Sequence, residues 1–338
     1  MSFKVTVEPS GHEFTPGADE AILDAALNNG LAFPYGCRNG ACGACKCKKL
    51  SGDYDYGENE PMAITPDEQA DGIILTCQAI PRSDMVLEVK EITSNKEIEV
   101  KNVPCRVESL DKLSHDVIRM ILKMPDADEM QFLPGQYIDI LLEDGRRRAF
   151  SIANAPRNDS RIELHIRHVE GGDYTGYIFN EMKEKEIIRI EGPHGTFFLR
   201  EDNERPIVLM GGGTGFAPLK GILEHCFDSS NSRPVHLFWG VRAKEDLYMN
   251  DVAEKWANEY AFLTFTSVLS EPKAEDNWEG KTGFVHEAVA ETYPDLSGHD
   301  VYMSGPPAMI HAAKDTFVAK GLSLDNLFSD SFDFANDK

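Results

Sequence analysis

The spacing of apolar residues changes along this chain in a way that marks out separate domains. Near the start, "FKVTVEP" alternates apolar and polar residues as a half-buried strand does. The next stretch, "TPGADEAILDAALNNG", puts Ile22, Leu23, Ala26 and Leu27 on one helical face, with a Thr-Pro start, acids in the first turn and Gly30 as a stop. "CKCKKLSGDY" and "MVLEVKEI" add further strands. Residues 93–102, "TSNKEIEVKN", are polar and read as a linker, short enough to restrict motion. Alternation then returns in "VIRMILKM", "QYIDILL" and "IELHIRHV", punctuated by Gly, Pro, Asn and Asp, which predicts a six-stranded antiparallel β-barrel. Beyond residue 200 strand and helix alternate. "RPIVLMGGGTGFAPLKGILEHC" reads as a buried strand, a glycine loop and a helix; "VHLFWG", "LTFTSVL" and "HDVYMSG" are interleaved with "DLYMNDVAEKWANEY" and "PPAMIHAAKDTFVAK". That order predicts a doubly wound α/β domain with a parallel sheet.

The expectation is therefore a multidomain protein with domains at 1–92, 103–200 and 201–338 joined at the first boundary by the linker, each long enough to bury its own core. A hydrophobic content of 41% and a charged content of 27% belong to an ordinary globular chain. "MSFKVTVEPS" lacks the basic-then-apolar layout of a signal peptide, and no apolar run approaches the ~20 residues that cross a bilayer. A cytoplasmic location without membrane association is expected. In that reducing compartment seven cysteines, an odd number, point to metal or redox chemistry rather than to a disulfide framework. The net charge of −23 argues against nucleic acid, whose phosphates it would repel. Residues 1–92 hold 15 acids against 7 bases, residues 101–200 hold 17 against 15, and residues 201–338 hold 23 against 11. Such acidity serves solubility, and in the first third it would also suit docking on a basic protein surface.

The densest chemistry lies in "YGCRNGACGACKCKK". Cys37-x4-Cys42-x2-Cys45, followed after a gap by Cys77, has the spacing of plant-type 2Fe-2S ferredoxins, whereas zinc sites more often use two short paired knuckles. Gly36, Gly40 and Gly43 let the backbone curl and aim N–H groups at sulfur, and Ala41 and Ala44 are small enough to press against inorganic sulfide. Cys47, Cys105 and Cys226 read as structural thiols. With its flanking strands and helix, the segment from residue 1 to 92 resembles the plant-type ferredoxins, and the resemblance implies a β-grasp sheet crossed by a helix, with Cys37, Cys42, Cys45 and Cys77 as ligands of the 2Fe-2S cluster.

In "GRRRAFSIAN", Arg148 and Phe150 share one strand face, and Ser151 joins them only if the strand bends. Three arginines on a strand end are by themselves a solvated edge. With "PGQY" at 134–137 before it, however, the segment resembles the Arg-x-Tyr/Phe-Ser flavin motif of the ferredoxin-NADP reductase superfamily. The resemblance implies that Arg148 neutralises a flavin phosphate, that Phe150 lies along the isoalloxazine, and that Ser151 hydrogen-bonds near its reactive nitrogen. Gly172 and Thr175 in "GGDYTGY" match the second flavin element, a helix start whose N–H groups favour a pyrophosphate, so the flavin is expected to be FAD. Alone, that pair is only a helix cap.

The junction "GGGTGFAP" departs from the dinucleotide fingerprint because Phe216 stands where its third glycine belongs; taken alone it could be a tight turn. Together with "GVRAKEDLY" and "SGPPAM" it resembles the nicotinamide-binding half of the same superfamily. That resemblance assigns Gly211, Gly212, Gly213, Thr214, Gly215, Pro218, Arg242, Asp246, Ser304, Gly305 and Pro306 to cofactor binding. Many relatives carry cysteine at the position of Ser304. Beyond Arg242 and Lys244 the region after the second strand is acidic, which favours NADH over NADPH. Phe332 is the candidate to cover the flavin face, with Phe334 close behind and a plain core role the alternative for either. Asp330, His165 and His168 are read as surface residues.

The module order resembles the reductase components of bacterial multicomponent oxygenases and the CDP-6-deoxy-glucoseen reductases. It implies an enzyme that passes electrons from NADH to FAD to the 2Fe-2S cluster and on to a separate protein acceptor, an oxygenase or dehydrase component. NADH gives up electrons in pairs as a hydride, a 2Fe-2S cluster takes one at a time, and a flavin can do both. Ser151 and Phe332 are the residues expected beside the reacting atoms, and no nucleophile or acid-base triad is needed. The alternatives are an NAD(P)H:flavin reductase that releases reduced free flavin, suggested by "NLFSDSF", and a redox sensor that reports to a binding partner.

Overall fold

The computed structural model describes residues 3–57, 61–89, 91, 98–125, 130–156, 161–229, 231 and 233–332. The chain divides into two compact units, Met1–Ile98 with Gly195–Phe197, and Glu99–His194 with Phe198–Lys338. Five residues of the expected linker, 93–97, and Phe334 lie outside the described residues.

In the first unit the described residues form β1 (Val5–Glu8), β2 (Glu13–Phe14), α1 (Ile22–Asn28), β3 (Lys46–Ser51), β4 (Tyr54–Asp55), α2 (Pro66–Ala70), β5 (Ile73–Leu75), β6 (Ile80–Pro81) and β7 (Met85–Glu88). The main sheet has the order β2-β1-β7-β3-β5, with β1 parallel to β7 and the other pairs antiparallel. Alternation decides its faces: Val5 and Val7 on β1 and Met85 and Leu87 on β7 are buried in one core with Ile22, Leu23, Ala25 and Ala26 of α1. The helix begins at Ile22 rather than at the Thr15-Pro16 start suggested by sequence. Glu20 Oε2 instead accepts from Gly17 N (2.8 Å), and the first helical N–H groups are taken by distant chain: Ile22 N donates to Ala79 O and Leu23 N to Thr76 O, both at 2.9 Å. The start of α1 is thereby tied to the residues flanking Cys77.

The second unit opens with six antiparallel strands, β8 (Lys101–Lys112), β9 (Val117–Lys123), β10 (Tyr137–Leu141), β11 (Arg147–Ser151), β12 (Arg161–Arg167) and β13 (Ile187–His194), with α3 (Asp173–Asn180) between the last two. Their order is β11-β10-β13-β8-β9-β12, and an isolated antiparallel bridge joins Ile152, just past β11, to Leu164 on β12. Alternate residues such as Val107, Leu122, Ile138 and Ile190 fill a single core. The polar end of the expected linker belongs to this sheet: Lys101 and Asn102 pair with Gly192 and Glu191, and Arg189 Nη1 donates to Asn102 Oδ1 at 2.7 Å.

The rest of that unit comprises β14 (Ile207–Gly212), a 3-10 turn over Gly213–Gly215, α4 (Phe216–Asp228), β15 (Val235–Val241), α5 (Asn250–Glu259), β16 (Leu263–Leu269), β17 (Lys281–Thr282), α6 (Val285–Thr292), β18 (Asp300–Gly305), α7 (Pro307–Ala319) and β19 (Leu327–Ser331). Every neighbouring pair in the order β17-β16-β15-β14-β18-β19 is parallel. Val208, Met210 and Met303 pack with Val289 of α6 and Ile310 and Phe317 of α7, while Gly211, one position out of phase, faces Leu219 of α4. Both faces of β14 are therefore covered, as its continuous apolar run requires. Strand order reverses direction between β14 and β18, which opens a crevice at their carboxyl ends.

Candidate cofactor sites

After α1 the chain winds the cysteines into a loop with Arg38, Gly40 and Gly43 at φ of 61°, 85° and 73°. Close contact explains two of the glycines: a Cβ on Gly36 would lie 3.1 Å from Cys42 Sγ, and one on Gly40 2.9 Å from Pro61 Cβ. Arg38, a non-glycine in the left-handed region, is held from two sides. Its Nη2 donates to Asp24 Oδ1 of α1 (2.6 Å), and its carbonyl accepts from Gln78 Nε2 (3.1 Å). The thiols fall into two pairs. Cys37 N and Cys42 N each donate to the other's Sγ at 3.3 Å, Ala44 N adds a donor to Cys42 Sγ at 3.4 Å, and Cys45 Sγ lies 3.2 Å from Cys77 Sγ.

Each pair contains one easily ionised thiol. The hydrogen bond with Cys42 draws Cys37 down, burial opposes it, and the N–H groups of Asn39, Cys42 and Ala41 help to hold it at about 6. The hydrogen bond with Cys77 likewise lowers Cys45 against its burial, and Cys42 and Cys77 are pushed up by their partners and by burial. Four sulfurs, two of them predisposed to be thiolates and three of them within reach of backbone donors, suit a soft, negatively charged iron–sulfur group. Cys47 points into the core on β3, where burial raises its thiol, and burial likewise pushes Cys226 up to about 12. Cys105 is buried among the antiparallel strands.

The flavin-motif residues lie on β11, and the bend expected for Ser151 is absent. Ser151, Phe150 and Arg148 pair in unbroken register with Tyr137, Ile138 and Ile140, so Ser151 faces away from the other two. Its Oγ donates to Asp330 Oδ2 at 3.0 Å. Asp330 is accordingly half-buried and engaged rather than a surface acid, because "LFSDS" forms β19 and adds to β18 with Asp330 beside Ser304. Burial and the charge of Arg146 lower the pKa of Arg148, whose Nη1 donates to Arg147 O at 3.0 Å. Gly172 is the residue preceding α3, and Thr175 Oγ1 accepts from Val169 N at 3.1 Å; a Cβ on Gly172 would come within 2.9 Å of that oxygen. Tyr174, in the first turn of α3, has a buried hydroxyl with no hydrogen-bond partner among the described residues; burial raises its pKa and the charge of Arg148 opposes that rise. A partly exposed cation whose charge reaches an unsatisfied hydroxyl at a helix start fits an anionic, hydrogen-bonding cofactor such as FAD.

In the crevice of the parallel sheet, a Cβ on Gly215 would lie 2.0 Å from Ser304 O and one on Gly212 2.5 Å from Met309 Sδ, so both positions exclude side chains. Gly213 adopts φ 55°. Phe216, which replaces the third fingerprint glycine, stacks on Trp239 (centroids 4.2 Å apart, planes 13°), and Trp239 Nε1 donates to Gly213 O at 2.9 Å. The turn is thus braced by an aromatic pair in addition to its close packing on β18. Thr214 lies in the turn and Pro218 is buried in α4. Ser304 Oγ is fully buried and has no partner among the described residues, while Gly305 O accepts from Phe332 N at 2.9 Å. Phe332 is half-buried. Pro306 precedes α7. A glycine-rich turn next to an orphaned hydroxyl fits a dinucleotide with a polar ring substituent. Arg242 is exposed, whereas Asp246 Oδ2 accepts from Ala243 N at 2.9 Å and closes its own turn.

His168 is exposed as expected, but His165 is buried. Its Nδ1 lies 3.0 Å from Tyr248 Oη and its Nε2 2.9 Å from Glu163 Oε1. Strand alternation gave no sign of this: in "IELHIRHV" it sets His165 on the face opposite Leu164 and Ile166, and that face is buried there too.

Each of the three sites lies in a segment with a matching domain family. Residues 5–82 match the 2Fe-2S iron-sulfur cluster binding domain, residues 104–199 the oxidoreductase FAD-binding domain, and residues 209–315 the oxidoreductase NAD-binding domain. The fold and sites define an NADH-dependent iron–sulfur flavoprotein oxidoreductase. More particularly, the chain belongs to the family of electron-transfer reductases that join a ferredoxin domain to FAD- and NAD-binding domains. It is 42% identical to the CDP-6-deoxy-L-threo-D-glycero-4-hexulose-3-dehydrase reductase of Yersinia pestis, over 98% of this chain and 99% of that one. It is 32% identical to the phenol 2-monooxygenase reductase component DmpP of Pseudomonas sp. (strain CF600), over 100% and 96%. The crystal structure of the Amycolatopsis cytochrome P450 reductase GcoB superposes with a TM-score of 0.80 at 31% identity, covering 99% of this chain and 100% of that one. Among the described residues no helix is long and apolar enough to cross a membrane.

Proposed function

We propose that this reductase delivers single electrons from NADH to a nucleotide-sugar dehydrase component, through three sites built from the residues described above. Bound together, the cofactors supply a hydride (NADH), conversion of an electron pair into single electrons (FAD) and one-electron carriage (the 2Fe-2S cluster). Cys37 and Cys42, and Cys45 and Cys77, would hold the cluster as two ligand pairs. Arg148 neutralises the FAD pyrophosphate with the N–H groups at the Gly172–Thr175 helix start, Phe150 flanks the ring system, and Ser151, oriented by Asp330, offers its hydroxyl at the ring edge. We read the six antiparallel strands as a barrel closed through the Ile152–Leu164 bridge. Gly211, Gly212, Gly213, Thr214 and Gly215, with Pro218 at the start of α4, leave room for the nicotinamide dinucleotide against Ser304, Gly305 and Pro306. Phe332 would cover the flavin face. Arg242 is placed for the adenosine half, whereas Asp246 acts there only through the turn it closes.

The observation that carries the electron order is the paired arrangement of the four thiols, a one-electron site joined to a flavin site and a hydride site in a single chain. The choice of acceptor is supported by the near full-length similarity to the Yersinia pestis protein, whose name specifies a hexulose dehydrase. In the test, protein is purified anaerobically with its cofactors and Cys42→Ser is compared with wild type. The variant is expected to lose reduction of cytochrome c, a one-electron acceptor, while retaining reduction of a two-electron dye. Equal loss of both would overturn the electron order, and loss of FAD from the wild type on gel filtration would favour a free-flavin reductase.

A further inference from the structure

α4 does more than follow the glycine turn. One of its faces meets the segment that continues β11 beyond Ser151, and the meeting is backbone to backbone: a Cβ on Gly221 would lie 3.0 Å from Asn154 O and 3.1 Å from Ile152 O. Beside it Lys220, only 3% exposed, donates from Nζ to Ala153 O (3.0 Å), Glu163 Oε2 (3.2 Å) and Glu224 Oε1 (2.7 Å). Those three bonds use every donor an ammonium has. Glu224 reaches back with Oε2, which accepts from Ala155 N (3.1 Å), and Asn154 Oδ1 accepts from Glu163 N (2.8 Å). The clamp therefore holds residues 152–155 at both carbonyl and N–H groups. At one end of it is the strand bearing Arg148, Phe150 and Ser151; at the other is the Gly213–Gly215 turn from which α4 springs.

Burying one ammonium with two carboxylates is a poor way to gain stability, since an apolar contact of the same volume would cost less desolvation. What it provides is a single register, because an apolar face could slide and a saturated lysine cannot. We propose that Lys220, Gly221 and Glu224 are positioning residues that set the separation between the flavin strand and the nicotinamide turn, and with it the geometry of hydride transfer. This rests on the site assignments proposed above. Hydride donor and acceptor must approach to roughly 3–3.5 Å, and a misplacement of about 1 Å can cost on the order of 100-fold in rate.

Gly221→Ala is the sharpest probe, because it adds a methyl group against two backbone oxygens that cannot rotate away and leaves every charge in place. In anaerobic stopped-flow reduction of the holoenzyme by NADH, the variant is expected to show a limiting rate of flavin reduction lower by about 10-fold or more. The NADH concentration for half-saturation should stay the same, FAD and iron contents should match wild type, and the long-wavelength charge-transfer absorbance of the nicotinamide–flavin pair should weaken. Lys220→Arg, which keeps the charge but not the reach, is expected to move the same two readouts in the same direction and carries the test if Gly221→Ala does not fold. Unchanged limiting rate and charge-transfer band in a fully FAD-loaded variant would overturn the proposal, as would a loss confined to FAD retention. A wild-type protein whose flavin NADH does not reduce would instead overturn the site assignments, a result visible without any variant.

Discussion

Burial by itself would raise the pKa of Glu163, yet the hydrogen bond from His165 and the charge of Lys220 outweigh it and hold the carboxyl at about 2, against an ordinary 4.5. His165 is lowered as well, in its case because burial outweighs the pull of Glu163, so at neutral pH the ring is uncharged, accepts from the Tyr248 hydroxyl at Nδ1 and donates from Nε2 to Glu163. Because the folded-state pKa of Glu163 lies below its unfolded value, its contribution to stability is complete above pH 4.5 and is lost as pH falls toward 2. Glu163→Gln is therefore expected to lower the unfolding free energy at pH 7 by about 3 kcal/mol, a difference that shrinks to about half near pH 3, measured by urea denaturation across that range. A difference independent of pH would assign the effect to packing. Cys47 gives a second prediction at this scale. Its buried thiol belongs to the core, so Cys47→Ala should retain wild-type iron and acid-labile sulfide at a cost of about 1–2 kcal/mol or less, whereas serine at Cys37, Cys42, Cys45 or Cys77 should lose both. Sequence could single out those four thiols because three of them are near neighbours in one loop. It could not place His165 or Asp330, whose partners Tyr248 and Ser151 are remote in the chain.

At the scale of elements the same distinction recurs. β1, β3, then β9, β10 and β12 of the antiparallel sheet and β14, β15, β16 and β18 of the parallel one follow the alternation or apolar runs of the sequence, since each is decided by its own residues. α1 starts late because the N–H groups of Ile22 and Leu23 are satisfied by carbonyls near Cys77, a fact of tertiary structure. β19 was illegible for a related reason: "LFSDS" is too polar to announce a strand and becomes one only by pairing with β18. The short helix α2 depends on local chemistry instead. Thr65 Oγ1 accepts from Glu68 N (3.2 Å), Thr65 N donates to Glu68 Oε2 (2.9 Å), and Lys46, directly after Cys45, donates to the same carboxylate at 2.6 and 2.8 Å. A capping box thus anchors both α2 and the strand leaving the cysteine loop. Thr65→Ala should destabilise the first unit by about 1 kcal/mol. The expected readout is faster bleaching of the iron–sulfur absorbance in denaturant, with flavin fluorescence at the same denaturant concentration unchanged; parallel loss of both signals would contradict a local role.

For the whole molecule the relevant quantity is the distribution of charge. The first 92 residues carry 15 acids against 7 bases, and some of those acids are already paired locally, as Glu13 is with Lys4 and Asp55 with Arg82. Exposed pairs of this kind contribute little to stability, so the remaining excess of acid is free to act at longer range. If that excess draws the cysteine-bearing unit to a basic surface on the acceptor, the attraction operates through solvent and is screened over a Debye length of about 8 Å at physiological ionic strength. Turnover linked to the protein acceptor should then fall as salt rises, through a slower second-order step and not through a lower limiting rate. A neutral quinone that takes electrons from the same enzyme supplies the control, because nothing in its encounter with the protein is screened. The expected result is a steep salt dependence with the protein acceptor and a flat one with the quinone, both followed as NADH oxidation at 340 nm. Equal slopes would place the salt effect within the enzyme, and two flat profiles would mean that docking depends on apolar contact and that the acidity of this unit serves solubility alone.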